Sequence, residues 1–374
     1  MTLAHLLQAH RVVICLGSGG VGKTTTAAAL SLHAARAGQR VLCLTIDPAQ
    51  RLATSLGLDH FSAEAERVQP AHFARQGLQC QGELWASTLD PRATFDALVR
   101  QYAPSPELAA RLLANRYYQH IAASLSGTRE YMALERLYAL QAQPQWDLLV
   151  LDTPPTSNAL DFLDAPERLI DAIDSPASHW LTQVAARQRG APFGLLSRSV
   201  ALVLGALARF TGVEFLHQVA TLVRDLNALF GGFRARASEV QAVLRAASTA
   251  FIVVARPHVE AQVDLPLLRQ GLASRQLRLQ ATLVNGVHPM PLAIDRQAAR
   301  AALQAEAPPL PPTLLDKTFA AYDAACEAGV HDRAALQSIR ALQPDLPLFC
   351  IPAMTEEVYD LAALAQVTEQ AFTV

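Results

Sequence analysis

The stretch Gly17-Ser18-Gly19-Gly20-Val21-Gly22-Lys23-Thr24-Thr25 decides how this chain is read. It fits GxxxxGK[ST] in full, and it lies between a short apolar run, residues 12–16, and a helical pattern over residues 24–37. The context matters as much as the letters, because a buried strand delivers the loop and a helix leaves it. Glycines let backbone N–H groups turn inward around a phosphate, and the helix N-terminus adds the positive end of its dipole. Lys23 is then expected at the β- and γ-phosphates and the Thr24 hydroxyl on Mg2+. Lysine is otherwise nearly absent: apart from Lys317, every other fixed cation is Arg, so the lysine at position 23 is informative.

Short apolar runs recur outward from this loop, at 12–16, 41–46, 148–151, 251–255, 282–284 and 346–351. Most lack an alternating polar face, as strands buried on both sides do. Helical patterns such as 24–37 and 259–272 lie between them. Strand–helix alternation predicts an α/β fold, a P-loop NTPase with a mostly parallel, doubly wound sheet. Two stretches break the rhythm and read as helical insertions, 94–140 (interrupted by Pro104 and Pro106) and 160–247. The expected organisation is a P-loop core over 1–93, 141–159 and 248–374, with 94–140 and 160–247 forming a helical subdomain.

Two carboxylates end predicted strands, Asp47 in Ile46-Asp47-Pro48-Ala49 and Asp152 in Asp152-Thr153-Pro154-Pro155-Thr156. In a parallel α/β sheet both fall at the C-terminal strand edge, where ligands bind. One is expected to hold the hydrated metal and the other to orient an attacking water.

Composition removes other classes. A net charge of −2 gives no reason to expect nucleic acid. The five cysteines form no CxxC pair, and the eleven histidines show no HExxH spacing, so no zinc site is expected. An odd cysteine count without a framework fits a reducing compartment. The N-terminus lacks the charged and apolar regions of a signal peptide, and the most apolar stretch, 199–208, is far short of the ~20 residues of a membrane span.

Taken together, Gly-x-Gly-Gly-Val-Gly-Lys-Thr-Thr, Asp-Pro-Ala and Asp-Thr-x-Pro-Thr resemble the ArsA-type ATPases in order and spacing. That family includes the arsenite-pump ATPase and the guided-entry ATPase that delivers tail-anchored membrane proteins; MinD and ParA are more distant. The block Gly127-Thr128-Arg129-Glu130-Tyr131-Met132-Ala133 and the run Ala159-Leu160-Asp161-Phe162-Leu163-Asp164-Ala165-Pro166 resemble its bacterial branch of anion-transporting ATPases. The resemblance implies that Asp47 polarises the attacking water, that Asp152 reaches Mg2+ through water, and that residues 154–156 form a second switch. It implies further that Asn285 reads adenine and that Pro352 lines the adenine pocket. An amide can pair with adenine's N6 and N7 edge. No [NT]KxD sequence of the guanine-reading kind is present, which favours ATP over GTP.

Two departures qualify the resemblance. The second loop position, usually a lysine that crosses to the partner's nucleotide, is Ser18 here, leaving Arg51 and Arg129 as candidates for that cation and slow hydrolysis as an expectation. The thiol cluster of the arsenite pump and the CxxC zinc bridge of the eukaryotic targeting members are both absent from the sequence.

Within the longer insertion, Leu216, Val219, Val223, Leu226, Phe230 and Phe233 recur three or four apart and make an apolar helical stripe. Residues 176–250 carry eight Arg against three Asp or Glu, a local net of +5. The stripe is either the core of the subdomain or a basic-rimmed groove for a client helix. The expectation is thus a Mg2+-dependent, ATP-hydrolysing switch, a homodimer or a heterodimer with a related subunit, whose helical subdomain holds a hydrophobic protein client. The alternatives are an energy subunit of an anion pump, a ParA- or MinD-like positioning ATPase, and a weakly hydrolysing nucleotide-binding scaffold. The expected location is cytoplasmic or peripheral to a membrane, without a transmembrane segment and without a specific nucleic-acid partner.

Overall fold

The protein is described from a computed structural model, which covers residues 2–46, 50–58, 62–119, 128–154, 159–175, 218, 221–222, 224–305, 310–354 and 357–373. Among these residues lie the strands β1 (Val12–Leu16), β2 (Arg40–Thr45), β3 (Glu66–Arg67), β4 (Glu83–Thr88), β5 (Leu148–Asp152), β6 (Thr249–Ala255), β7 (Leu279–Val287), β8 (Leu348–Pro352) and β9 (Phe372–Thr373). They form one sheet in the order β3-β4-β2-β5-β1-β6-β7-β8-β9. All neighbours pair in parallel except the outermost pairs, β3 with β4 and β8 with β9, which are antiparallel. The expected α/β class with a mostly parallel sheet is correct.

The apolar runs are strands because both faces are covered. Every residue of β1, β5 and β6 is buried. β4 has a different pattern, with Glu83 and Trp85 half-exposed and Leu84 and Ala86 buried. It lies near the edge of the sheet, followed only by β3. The helix Lys23–Arg36 packs on β2 and β5 and against the helix Leu361–Glu369. Its Ala27, Ala28, Ala29, Ala34 and Ala35 are buried, and these small side chains bring its axis close to the sheet. Leu30 and Leu32, fully buried between them, belong to the same core as Val13, Val41 and Val150.

The chain divides into two compact units. The first comprises Met1–Thr88, Pro144–Ala159 and Ala247–Val374 and holds the sheet. The second comprises Leu89–Gln143 and Leu160–Ala246, and its described residues contain helices, including Pro91–Tyr102, Pro106–Ala114, Thr128–Gln141, Ala165–Asp174 and Phe230–Arg245. Proline starts two of them. Pro91 follows Asp90, whose carboxylate accepts the Ala93 N–H at 2.8 Å, and Pro106 follows Ser105, whose hydroxyl accepts the Leu108 N–H at 3.3 Å.

The second unit is held by aromatic packing and by buried charge. Phe95 stacks on Tyr118 at 5.5 Å between ring centroids, and Phe233 lies 6.0 Å from both Phe95 and Tyr102. Arg236 grips Glu135 through both of its donor faces, with its Nη2 at 2.7 Å and its Nε at 2.9 Å from the carboxylate, and stands 3.8 Å above the ring of Tyr138. Among the described residues, no helix is long and apolar enough to cross a membrane.

Candidate functional site

The loop between β1 and the helix Lys23–Arg36 turns where only glycine is tolerated. Gly17 has φ +152°, and a Cβ there would come 2.2 Å from the Val254 carbonyl oxygen of β6. Gly22 has φ +93° and caps the helix; a Cβ there would come 2.2 Å from the Asn285 side chain. The helix therefore opens with its first-turn N–H groups facing the loop, as an anion site requires.

Lys23 is buried and donates from Nζ to the Ser18 carbonyl oxygen at 2.7 Å. Burial lowers its pKa, while Asp152 and the Cys15 thiol push it back up. Thr24 donates its hydroxyl to Asp152 Oδ2 at 2.7 Å, and Thr45, at the end of β2, donates to the same oxygen at 3.0 Å. The sheet register explains the convergence. Asp152 in β5 stands level with Cys15 in β1 and with Thr45 in β2. Thr153 then ties the end of β5 back to β1 through the Cys15 carbonyl at 2.6 Å. Asp152 is 2% exposed, and with Thr24 and Thr45 it presents only hydroxyl and carboxylate oxygens, the donor set that suits a hard divalent cation.

Ser18 donates its hydroxyl to Asp264 Oδ2, in the helix Val259–Ser274, at 2.7 Å. Thus the second loop position faces a carboxylate of its own chain, a contact 246 residues apart in sequence.

A cleft of about 760 Å3 runs from Gly22, Thr24 and Thr25 to the ends of β7 and β8. Asn285, Gly286, Arg256 and His288 line it, with Ala353, Met354, Val358 and Tyr359. Asn285 donates Nδ2 to the Val21 carbonyl at 3.0 Å, so the amide braces the loop as well as facing the cleft. Pro352 ends β8, and the next residue, Ala353, donates its N–H to the Val287 carbonyl at 2.8 Å; Ala353 and Met354, one and two residues on, form that wall. His288 directs both its backbone N–H and its Nδ1 at Asp332 Oδ2, each at 2.8 Å. Burial pushes the Asp332 carboxyl up, but the His288 N–H and the rings of His288 and His331 outweigh it and hold the carboxyl below its ordinary range.

Of the sequence-predicted residues, the structure brings together Gly17 through Thr25, Asp152 and Asn285. Asp47 lies outside the described residues, as do positions 155 and 156 of the second switch. Arg51 falls in the helix Gln50–Ser55, but its side chain is also outside the description. Arg129 is exposed on the helix Thr128–Gln141. Along the apolar stripe, Leu216, Val219 and Val223 lie outside the described residues, Leu226 and Phe230 are half-buried, and Phe233 is 4% exposed, packed as core on Phe95 and Tyr102. Sequence reasoning missed Thr45, Asp264, Arg256 and His288. Only Thr45 carried a signal, as a hydroxyl at the last turn of a buried strand.

Residues 10–187 match the family model described as anion-transporting ATPase. Similar proteins include ATPase get3 of Aspergillus terreus, 28% identical over 271 residues, which spans 72% of this chain and 71% of the relative. ATPase GET3 of Podospora anserina is 26% identical over 270 residues, 72% of this chain and 70% of its own. ATPase GET3 of Malassezia globosa is 29% identical over 176 residues, 46% and 48% respectively. Fold, loop and matches define the class: the chain is a P-loop ATPase. Within that class it is similar to the ArsA-type ATPases, the family that residues 10–187 match.

Proposed function

We propose that this ATPase is a Mg2+-dependent dimeric switch, in which ATP binding rearranges the helical unit and changes what that unit offers to a hydrophobic protein client. The observation that carries the reading is the convergence of Thr24, Thr45 and Asp152 beside the P-loop. In this reading residues 17–25 wrap the triphosphate and Lys23 exchanges the Ser18 carbonyl for phosphate oxygens. Thr24 and Asp152 would hold Mg2+, the latter through water, and the ion would supply positive charge for the β- and γ-oxygens. Asp47 orients the attacking water. Asn285 keeps Nδ2 on Val21 and turns its carbonyl oxygen toward the adenine amino group, an acceptor for a donor.

The sheet-bearing unit acts as the nucleotide core and the helical unit as the client-binding subdomain, with Leu226 and Phe230, neither fully buried, as the described part of the groove. Similarity to the GET3 ATPases supports a dimer with a tail-anchored type of client, and the 127–133 and 159–166 blocks support the bacterial branch. Location in the cytoplasm, or at a membrane surface, goes with this reading.

The test is mass measurement in solution combined with turnover. Asp47→Asn should bind ATP, stop hydrolysing it, and accumulate as dimer in ATP but not in ADP. Lys23→Ala should neither bind ATP, nor hydrolyse it, nor accumulate as dimer in either nucleotide. Wild-type turnover by Asp47→Asn would remove Asp47 from the chemistry, and a mass independent of nucleotide would remove the dimeric switch.

A further inference from the structure

Arg256 follows β6 and lines the same cleft as Thr24, Thr25 and Asn285. It is exposed, and its side chain makes neither an ion pair nor a hydrogen bond among the described residues; only its backbone carbonyl is engaged, accepting from the His258 N–H at 2.8 Å. Its guanidinium carbon lies 3.6 Å from where a Cβ on Gly286 would stand, so it runs alongside the end of β7, next to Asn285. Lys23 and the first turn of its helix already serve the phosphate end of the cleft. The strand order puts β6, β7 and β8 progressively farther from the P-loop strand, and the wall there is Ala353, Met354, Glu357, Val358 and Tyr359, mostly apolar with one carboxylate. A guanidinium without a side-chain partner among the described residues, at such a wall, can take an occupant with a flat, electron-rich face. A guanidinium is planar, weakly hydrated and stacks on aromatic rings, whereas an ammonium holds its water.

We propose that Arg256 is a base-contacting residue of this site, its guanidinium packing on the purine of bound ATP and setting purine over pyrimidine preference. The proposal rests on the reading of the cleft as the ATP site. Position 256 lies at the β6 terminus, where it reaches the base without displacing Asn285 from Val21.

The experiment is calorimetric titration of the full chain and of Arg256→Ala, Arg256→Lys and Lys23→Ala, each with Mg-ATP, Mg-CTP and Mg-tripolyphosphate, which has no base. Arg256→Ala should weaken ATP about tenfold, the scale of a desolvated cation–ring contact, and narrow the ATP-to-CTP ratio. Arg256→Lys should recover little of the loss, because it restores charge without the plane. Tripolyphosphate should bind Arg256→Ala as it binds wild type. An equal loss for tripolyphosphate would make Arg256 a phosphate contact and overturn the proposal. Unchanged ATP affinity would overturn it as well, including the case in which turnover alone falls and Arg256 acts as the missing intersubunit cation. Failure of the underlying site reading looks different: Lys23→Ala would then bind ATP and tripolyphosphate like wild type.

Discussion

At the scale of single residues, the Ser18–Asp264 contact changes what position 18 can be expected to do. A lysine placed there would not be free to cross to another subunit, because a carboxylate of its own chain accepts from the present side chain at 2.7 Å. Ser18→Lys alone should therefore leave turnover within about twofold of wild type, the modest scale of a partly exposed ion pair. Ser18→Lys combined with Asp264→Ala releases the ammonium and should raise turnover by about tenfold or more, toward the range of cations supplied in trans. Steady-state ATPase assays on the single and double variants decide it; equal rates would show that no such cation limits this enzyme. The site was legible in the sequence where its parts are contiguous. Residues 17–25 are one loop, and Asp152 closes a strand whose apolar run is plain. Asp264 and Arg256 were not legible, because the Ser18 contact of the one and the place of the other in the cleft beside Asn285 are created by the fold, not by the local sequence.

At the scale of elements, helix pairs carry the more informative tests. Arg236 joins the helix Phe230–Arg245 to the helix Thr128–Gln141 through Glu135, with side chains 11% and 4% exposed. Arg236→Met strands a buried carboxylate and should cost about 3–5 kcal/mol at pH 7, whereas Arg236→Met with Glu135→Leu should recover much of it. Burial already raises the Glu135 pKa against the pull of Arg236, and removing Arg236 raises it further. The folded variant then binds a proton more readily than the unfolded chain, so its stability falls as pH rises above the ordinary carboxylate range. Urea unfolding at pH 4.5 and 7 should show the smaller deficit at the lower pH. On the same helix, Phe233→Ala should cost about 3–5 kcal/mol as a core deletion. Leu226→Ala and Phe230→Ala, at half-buried positions, should cost less and weaken client capture instead. Thermal unfolding of the three sorts core from groove, and equal losses would make the whole run core. Periodicity alone could not make that distinction, because an apolar stripe reads the same whether a helix of the same chain or a client covers it. Sheet strands were easier. Runs buried on both faces stand out, while β4 has half-exposed residues among its buried ones and makes no such run, and β3 and β9 are two residues each, too short for any period.

At the scale of the whole molecule, the chain builds two compact units from interleaved segments, so the helical unit is connected to the sheet at several points rather than through one tether. A switch of the proposed kind should leave the central strands alone and alter the helical unit. Hydrogen exchange on Asp47→Asn in ATP and in ADP should show unchanged protection in β1, β5 and β6, with nucleotide-dependent protection in Thr128–Gln141 and Phe230–Arg245. Identical exchange in both nucleotides would separate ATP binding from any movement of that unit.

The two margins of the sheet have a further consequence, which concerns crowding rather than catalysis. A parallel sheet that stopped at β4 and β8 would present rows of unpaired amides to any extended segment nearby. Among the described residues each margin is covered in part by an antiparallel strand only two residues long, β3 against Trp85 and Ala86 and β9 against Phe349 and Cys350. Such stubs offer too short a template for another chain to pair with, and brevity at an edge is one of the ways soluble proteins resist amyloid-like growth. Truncation before Phe372 removes one stub and bares Phe349 and Cys350 in the middle of β8, so a chain ending there should aggregate faster on mild heating, at unchanged ATP affinity.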